Sequence, residues 1–308
     1  MISYEQFREI AVQTLKSYLP EKYRDWEIKR FRVHKINETL ECIQLFPPQN
    51  KSDLLCSAFP MIYLEHGYQM IQGGAQPEYV VEAMARILEQ ELPSESFLRQ
   101  WKDPIELKEN ILPMVINQKK NQAYLRNLPW RPFLDLAVVY RILILLSDGF
   151  SYSMEINLDL MRQMKINESQ LFRLSMENMN AIAPPYLSGL ERELKKGISQ
   201  DPDLTVKRES FPSLPLYLLT NRIHMFGAAA VLCQEKLSEL AESLQRDLYI
   251  LPSSIHEMLL LPADFAPLEQ IRDVVYNVNT TVVDKEEWLS DQVYLYCRGT
   301  RNVVIPRL

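Results

Sequence analysis

Residues 247–262 read DLYILPSSIHEMLLLP, two apolar runs separated by a short polar stretch. We expect strands at 248–251 and 257–261, because short apolar runs bounded by turn residues are typical of strands. Each side of this pair carries apolar residues at helical spacing, which predicts two flanking helices. Those residues are Leu237, Leu240, Ala241 and Leu244 before the pair, and Leu268, Ile271, Val274, Val275 and Val278 after it.

Further strands are expected at 216–220, 228–233 and 293–297, so the elements of the last hundred residues follow the order ββαββαβ. Strand pairs that are separated by helices favour a mostly antiparallel sheet with helices packed on one face. The predicted fold class is therefore α+β.

The N-terminal half mixes helices and strands. Ser3 and Gln6 form a capping-box pattern that predicts a helix to about residue 20. Paired strands are expected at 26–36 and 39–46, and the apolar segment 134–146 is expected to be a central strand.

The second part of this half is predicted to be helical. A helix should run from Asn167 to about residue 182, and a shorter one should follow Pro184 and Pro185 as far as Gly197. Residues 199–214 are the predicted linker between an N-terminal region, 1–198, and a C-terminal region, 215–308. The sequence leaves open whether the two regions pack as one compact unit.

Composition argues against several function classes. The net charge of −6 disfavours a dedicated nucleic-acid binder. Neither G-x-G-x-x-G nor G-x-x-x-x-G-K-[ST] occurs, so we predict no nucleotide cofactor. We see no secretory signal, and the apolar run at 134–146 is too short to cross a membrane. The four cysteines are widely spaced, which favours reduced thiols and a cytoplasmic location.

Four stretches carry a resemblance to a known family. They are LPLYLLTNRIHMFGAAAVL at 214–232, DLYILPSSIHEMLLLP at 247–262, NLPWRPFLDLAVVYRI at 127–142 and MENMNAIAPP at 176–185. The chain resembles, over most of residues 1–298, a family of intracellular proteins from anaerobic Gram-positive bacteria, many of them gut commensals. The family has no assigned activity, substrate or cofactor, so the resemblance implies one coherent bacterial protein and transfers no site residue.

The strongest candidate for chemistry is the pair Ser254 and His256, because serine, histidine and a carboxylate make up acyl-transfer sites. On an extended strand these two side chains would share a face and Glu257 would point to the other, so the acid would have to come from elsewhere. The structural alternative is a turn in which Ser253 or Ser254 caps backbone groups and His256 is partly buried.

No metal site is predicted. A zinc-protease motif would need a second histidine one turn after His256, and Leu260 occupies that position. The other histidines, His34, His66 and His224, are scattered and none pairs with a cysteine at metal-ligand spacing.

Two further segments are candidate binding sites. The loop 221–226 carries Asn221, Arg222 and His224, and its apolar residues would mark a binding tip if exposed; it could lie at the same sheet edge as Ser254. On the strand at 26–36, Arg30 and Arg32 share a face with His34 and could meet phosphates. The alternative there is a solvated strand whose charges discourage aggregation.

The leading hypothesis is a non-enzymatic cytoplasmic protein that acts as a protein-interaction or regulatory module, with a protein partner or a homo-oligomer as the expected contact. One alternative is a small hydrolase or transferase that uses Ser254 and His256. A second alternative is anion or nucleic-acid binding through Arg30 and Arg32.

Overall fold

A computed structural model describes residues 2–46, 60–91, 106–145, 151–193 and 215–307. The chain divides into two compact units, Met1–Glu106 and Leu107–Leu308. Helices are mixed with sheets in which every described strand pairing is antiparallel. This confirms the predicted α+β class.

In the described residues of the first unit, three helices pack on a three-stranded sheet of order β1-β2-β3. Its strands are β1 (Glu27–Lys35), β2 (Glu38–Phe46) and β3 (Met61–Tyr63), and its helices are α1 (Tyr4–Thr14), α2 (Leu64–Gln72) and α3 (Pro77–Glu91), with 3₁₀ turns at Leu15–Tyr18 and Glu21–Tyr23. The predicted capping box at Ser3 and the strand pair around Asn37 are confirmed. Asn37 has φ 63°, a conformation that asparagine tolerates in tight turns.

The second unit contains a four-stranded sheet centred on β6. Its strands are β4 (Ile111–Asn117), β5 (Arg131–Phe133), β6 (Leu136–Leu145) and β7 (Ser151–Glu155), and the helices of this region are α4 (Gln122–Leu125), α5 (Leu158–Gln163) and α6 (Glu168–Ile182), after a 3₁₀ turn at Glu106–Asn110. β6 pairs with each of the other three strands, which confirms the central strand predicted at 134–146.

The same unit contains a six-stranded sheet of order β13-β12-β10-β11-β9-β8. Its strands are β8 (Pro185–Gly189), β9 (Tyr217–Asn221), β10 (Leu248–Ser254), β11 (Glu257–Pro262), β12 (Tyr294–Cys297) and β13 (Asn302–Val304); the helices of this region are α7 (Gln234–Leu244) and α8 (Leu268–Thr281), with a 3₁₀ helix at Gly227–Leu232. Ile271 and Val275 of α8 pack with Tyr249, Leu251 and Leu261 of the sheet.

One predicted strand is wrong, and one predicted helix begins later than expected. Residues 228–232 belong to a 3₁₀ helix rather than a strand; three consecutive alanines offer little side chain to pack on a pleated sheet, and alanine is depleted in strands. The residues directly after Pro184 form the edge strand β8, and the predicted helix begins only after it, with residues 190–193 helical and residues 194–197 outside the described part of the chain. Pro185 is the first residue of β8, a position where a missing N–H is tolerated in a strand.

The observed division of the chain also differs from the predicted regions. β8 lies before the predicted linker in sequence, yet it pairs with β9 beyond it in one sheet. The linker itself, residues 199–214, lies outside the described residues. No described helix has the length and apolar character needed to cross a membrane.

Candidate functional site

The candidate pair Ser254 and His256 lies in the tight turn that joins β10 to β11. Ser254 pairs with Glu257, so Ile255 and His256 form the turn itself. The Ser254 hydroxyl accepts a hydrogen bond from the backbone N–H of His256 at 3.0 Å. His256 thus lies in a turn between the two strands, the alternative considered for this segment, and the alternation of faces does not govern where its ring points. The capping role considered for Ser254 is the geometry observed.

Both ring nitrogens of His256 face other groups. Phe226 donates its backbone N–H to Nδ1 at 3.3 Å, and the carboxylate of Glu287 lies 3.6 Å from Nε2. The ring also stacks on that of Phe226, with centroids 6.1 Å apart. Because Nδ1 accepts a hydrogen bond, the proton of the neutral ring resides on Nε2 and faces Glu287. Glu287 is thus the carboxylate partner that the acyl-transfer hypothesis expected from elsewhere in the chain.

Three titratable side chains act on the carboxyl group of Glu257 at this turn. Burial raises the pKa of the Glu257 carboxyl, while charge on His224 and His256 lowers it and the Glu287 carboxylate raises it again. Within the described ranges, no three histidine, cysteine or acidic side chains are arranged to hold a metal ion.

The loop between β9 and the 3₁₀ helix is organised by Asn221. This buried amide donates to the carbonyl of Met225 at 2.7 Å and accepts from the N–H of Ile223 at 3.2 Å. Arg222 and His224 are exposed, whereas Phe226 is buried. The loop therefore presents polar side chains at its surface, and Phe226 is not an exposed tip residue.

The loop 221–226 and the β10–β11 turn are in direct contact. Thr220 donates its hydroxyl to the carbonyl of His256 at 2.8 Å. A Cβ atom placed on Gly227 would lie 2.1 Å from the Thr220 hydroxyl oxygen and 2.4 Å from the carbonyl oxygen of His256. Only glycine fits this approach. Asn221, Ser254 and His256 are thereby brought to one place, with His224 at its exposed rim.

The basic residues of β1 belong to the other compact unit. The Nε atom of Arg30 lies 3.5 Å from Glu41, and its Nη1 atom lies 4.0 Å from Glu9. Arg32 is exposed and stands opposite Glu41 in the β1–β2 register. His34 forms a 2.8 Å hydrogen bond with the hydroxyl of Thr39.

Sequence reasoning missed three residues that build the turn site: Thr220, Gly227 and Glu287. Gly227 follows the loop 221–226, and a glycine after a loop has a simple turn explanation, so the sequence gives no sign of its close approach to another segment. Glu287 belongs to the charged run 284–287, which is typical of a solvated surface. No spacing rule relates it to His256.

Comparison with known proteins gives one match. No curated protein and no solved structure matches this chain. The family described as "Family of unknown function (DUF5688)" matches residues 4–298. The match spans both compact units, and the chain belongs to this family.

Proposed function

We propose that this protein acts through protein–protein contacts rather than as an enzyme, and that the exposed valine side chains of α8 and its C-terminal end form its contact surface. The observation that carries the proposal is an uneven distribution of exposed apolar side chains. Eleven large apolar residues are exposed in the part of the chain that the structure describes, and seven of them lie between Phe265 and Ile305. Clustered exposed apolar residues are typical of contact surfaces.

Three of these residues form what we name the valine row: Val274, Val278 and Val282. They are spaced by four residues, so they follow one another along one side of the helix and its C-terminal end. Their exposed fractions are 54%, 40% and 75%. Ile271 and Val275 already anchor α8 to the sheet, so the row is not needed for that packing. A partner that covers it would remove apolar surface from water.

The acyl-transfer alternative has less support. A general base needs a free ring nitrogen within reach of the proton it takes. Nδ1 of His256 accepts the Phe226 N–H, and Ser254 bonds to the backbone of the turn instead of to the ring. These bonds support a structural role for the pair.

The setting of the protein is part of the proposal. The free thiols of Cys42, Cys233 and Cys297 support a reducing compartment such as the cytoplasm. The family resemblance supports a source among anaerobic Gram-positive bacteria. The partner is either another protein of the same cell or a second copy of this chain.

The test compares wild type with the double variant V274D/V282D. Both proteins are used for affinity capture from a lysate of the source organism and for sedimentation velocity over a range of concentrations. We expect wild type to recover a partner, or to self-associate, and the double variant to lose that contact. The variant should keep its stability within about 0.5 kcal/mol, because the replaced side chains are exposed.

The matched control is Ile87→Asp on α3, which places a carboxylate on an apolar residue of similar exposure in the other unit. It should behave like wild type. The proposal fails if wild type remains one species at all concentrations and captures nothing that the double variant loses. It also fails if I87D and V274D/V282D lose the same partner equally.

A further inference from the structure

β1 is a nine-residue strand at the end of its sheet. It pairs with β2 along all nine residues, from Glu27 to Lys35, and the sheet order β1-β2-β3 leaves its other side without a strand among the described residues. At about 3.4 Å per residue, this edge is roughly 30 Å long. Natural proteins usually shorten or cover such edges, because their free N–H and C=O groups pair readily with another chain.

The edge has a charge opposite to that of the whole protein. β1 carries four cationic side chains and one carboxylate, a net +3, whereas the chain as a whole has a net charge of −6. Arg30, Arg32 and His34 recur every second residue and so share one face of the strand. Phe31 and Val33 alternate with them and are half-buried on the other face.

The cations of this face differ in how far they are already neutralised. Arg30 lies 3.5 Å from Glu41 and 4.0 Å from Glu9, which hold its guanidinium over the sheet. Arg32 is exposed, and no described carboxylate lies within ion-pair distance of it. Arg32 is therefore the side chain best placed to meet a charge brought by a partner.

We propose that the outer edge of β1 binds an extended acidic peptide segment by strand addition. Such a segment pairs its main chain with the free edge and places its acidic side chains beside Arg30 and Arg32. Apolar residues at the positions between them would lie next to Phe31 and Val33. The segment recognised is thus an alternation of acidic and apolar residues. This surface is separate from the valine row, so neither proposal depends on the other.

Charge argues against a second copy as the occupant. If two β1 strands paired antiparallel with Phe31 at the two-fold axis, Arg30 of each copy would face Arg32 of the other. Like charges directly opposite each other destabilise a strand pair. A nucleic acid would satisfy the guanidinium groups, but it offers no row of peptide groups for the main chain of β1.

The experiment uses the whole chain and a labelled peptide of three Glu-Val repeats, with binding followed by fluorescence anisotropy. Two versions of this peptide are N-methylated at every second amide and differ in which set of amides is methylated; they test the main-chain hydrogen bonds. Oligothymidylate and a Lys-Val peptide test the effect of charge alone. Titrations are run at about 0.1 M and about 1 M salt, where the screening length falls from about 10 Å to about 3 Å.

We expect the Glu-Val peptide to bind at the lower salt and one of the two N-methylated registers to lose binding. Arg32→Glu should weaken binding about tenfold, since it replaces an attraction with a repulsion. Arg24→Glu is the matched control: it reverses an exposed arginine of the same unit outside the edge, and should bind as wild type does. V274D/V282D should also bind normally.

Three results would overturn the proposal. The first is no binding of the Glu-Val peptide at the lower salt. The second is binding that neither N-methylated register reduces, or that oligothymidylate matches, which would indicate a general anion surface. The third is an equal loss in R24E and R32E, which would assign the effect to net charge.

Discussion

Replacing Gly227 by alanine should destabilise the second unit, because this residue is where the β9 loop meets the β10–β11 turn. The new Cβ would lie 2.1 Å from the hydroxyl oxygen of Thr220, 2.4 Å from the carbonyl oxygen of His256 and 2.9 Å from the backbone nitrogen of Asn221. Two of these atoms belong to the backbone, so a side-chain rotation cannot relieve the clash. The loop and the turn must move apart.

The magnitude follows from two costs. Overpacking of this kind costs about 1–3 kcal/mol. Separation also breaks the hydrogen bond from Thr220 to the His256 carbonyl, which contributes about 0.5–1.5 kcal/mol. The expected loss is therefore about 2–4 kcal/mol. For a unit of this size each kcal/mol lowers Tm by about 2–4 °C, so the variant should melt roughly 4–16 °C below wild type.

The assay is thermal and urea unfolding followed by circular dichroism, with hydrogen exchange at Ile255 as a local probe, since its N–H donates to the carbonyl of Glu287. Gly189→Ala is the matched control in the same sheet: its Cβ would meet nothing within 4 Å. It should keep or slightly raise Tm. Thr220→Ala combined with G227A should recover only part of the loss, because the His256 carbonyl still blocks the methyl group. Equal melting of G227A and G189A would refute the close contact of loop and turn.

Two further predictions concern carboxylates. Glu168→Gln should cost about 1–2 kcal/mol at neutral pH, because Arg131 makes two 2.8 Å bonds to the carboxylate and the amide offers one acceptor oxygen. Hydrogen bonding to Arg131 lowers the folded pKa of Glu168, so its stabilisation is present above about pH 4.3 and is lost as the pH falls through the folded value. Acid titration of unfolding should show this loss in wild type and not in E168Q; parallel curves would contradict it. Glu257→Gln should stabilise the protein at neutral pH, because burial raises the folded pKa of Glu257 and the charged form is disfavoured as the pH rises above about 4.3. Urea unfolding at several pH values should show the two proteins converging below about pH 4; a variant that is less stable than wild type at pH 7 would contradict this prediction.

The fold was predictable where one local pattern dominated. The capping box at Ser3, the central strand β6 and the two helices that flank the β10–β11 hairpin all follow from spacing alone. The failures come from segments whose local pattern is ambiguous. The 3₁₀ helix at Gly227–Leu232 begins with glycine and three alanines, and residues 227–231 are all apolar and buried, so neither helical nor strand periodicity is visible in it.

The candidate site was predictable in its members but not in its bonds. Ser254 and His256 were selected because serine and histidine occur in acyl-transfer sites, and Asn221 because its loop could form a binding tip. Sequence patterns could not supply Glu287 or Gly227, since both act through segments that are distant in the chain. Tertiary contact alone brings the Glu287 carboxylate to 3.6 Å from His256.

The hydrogen bonds that a histidine makes show more clearly than the neighbouring residue types whether its role is structural or catalytic. Ser254, His256 and Glu287 have the composition of an acyl-transfer set, but their bonds run toward the backbone. The serine oxygen accepts the His256 N–H, and Nδ1 accepts the N–H of Phe226 from the neighbouring loop. For His256 to act as a base at Nδ1, it must first lose the hydrogen bond from the Phe226 N–H. That donor would then lack a partner, at a cost of about 1–3 kcal/mol. When these bonds are kept, His256 connects Phe226, which donates to Nδ1, with Glu287, whose carboxylate lies 3.6 Å from Nε2. Stabilising that junction is the role these side chains perform without any rearrangement.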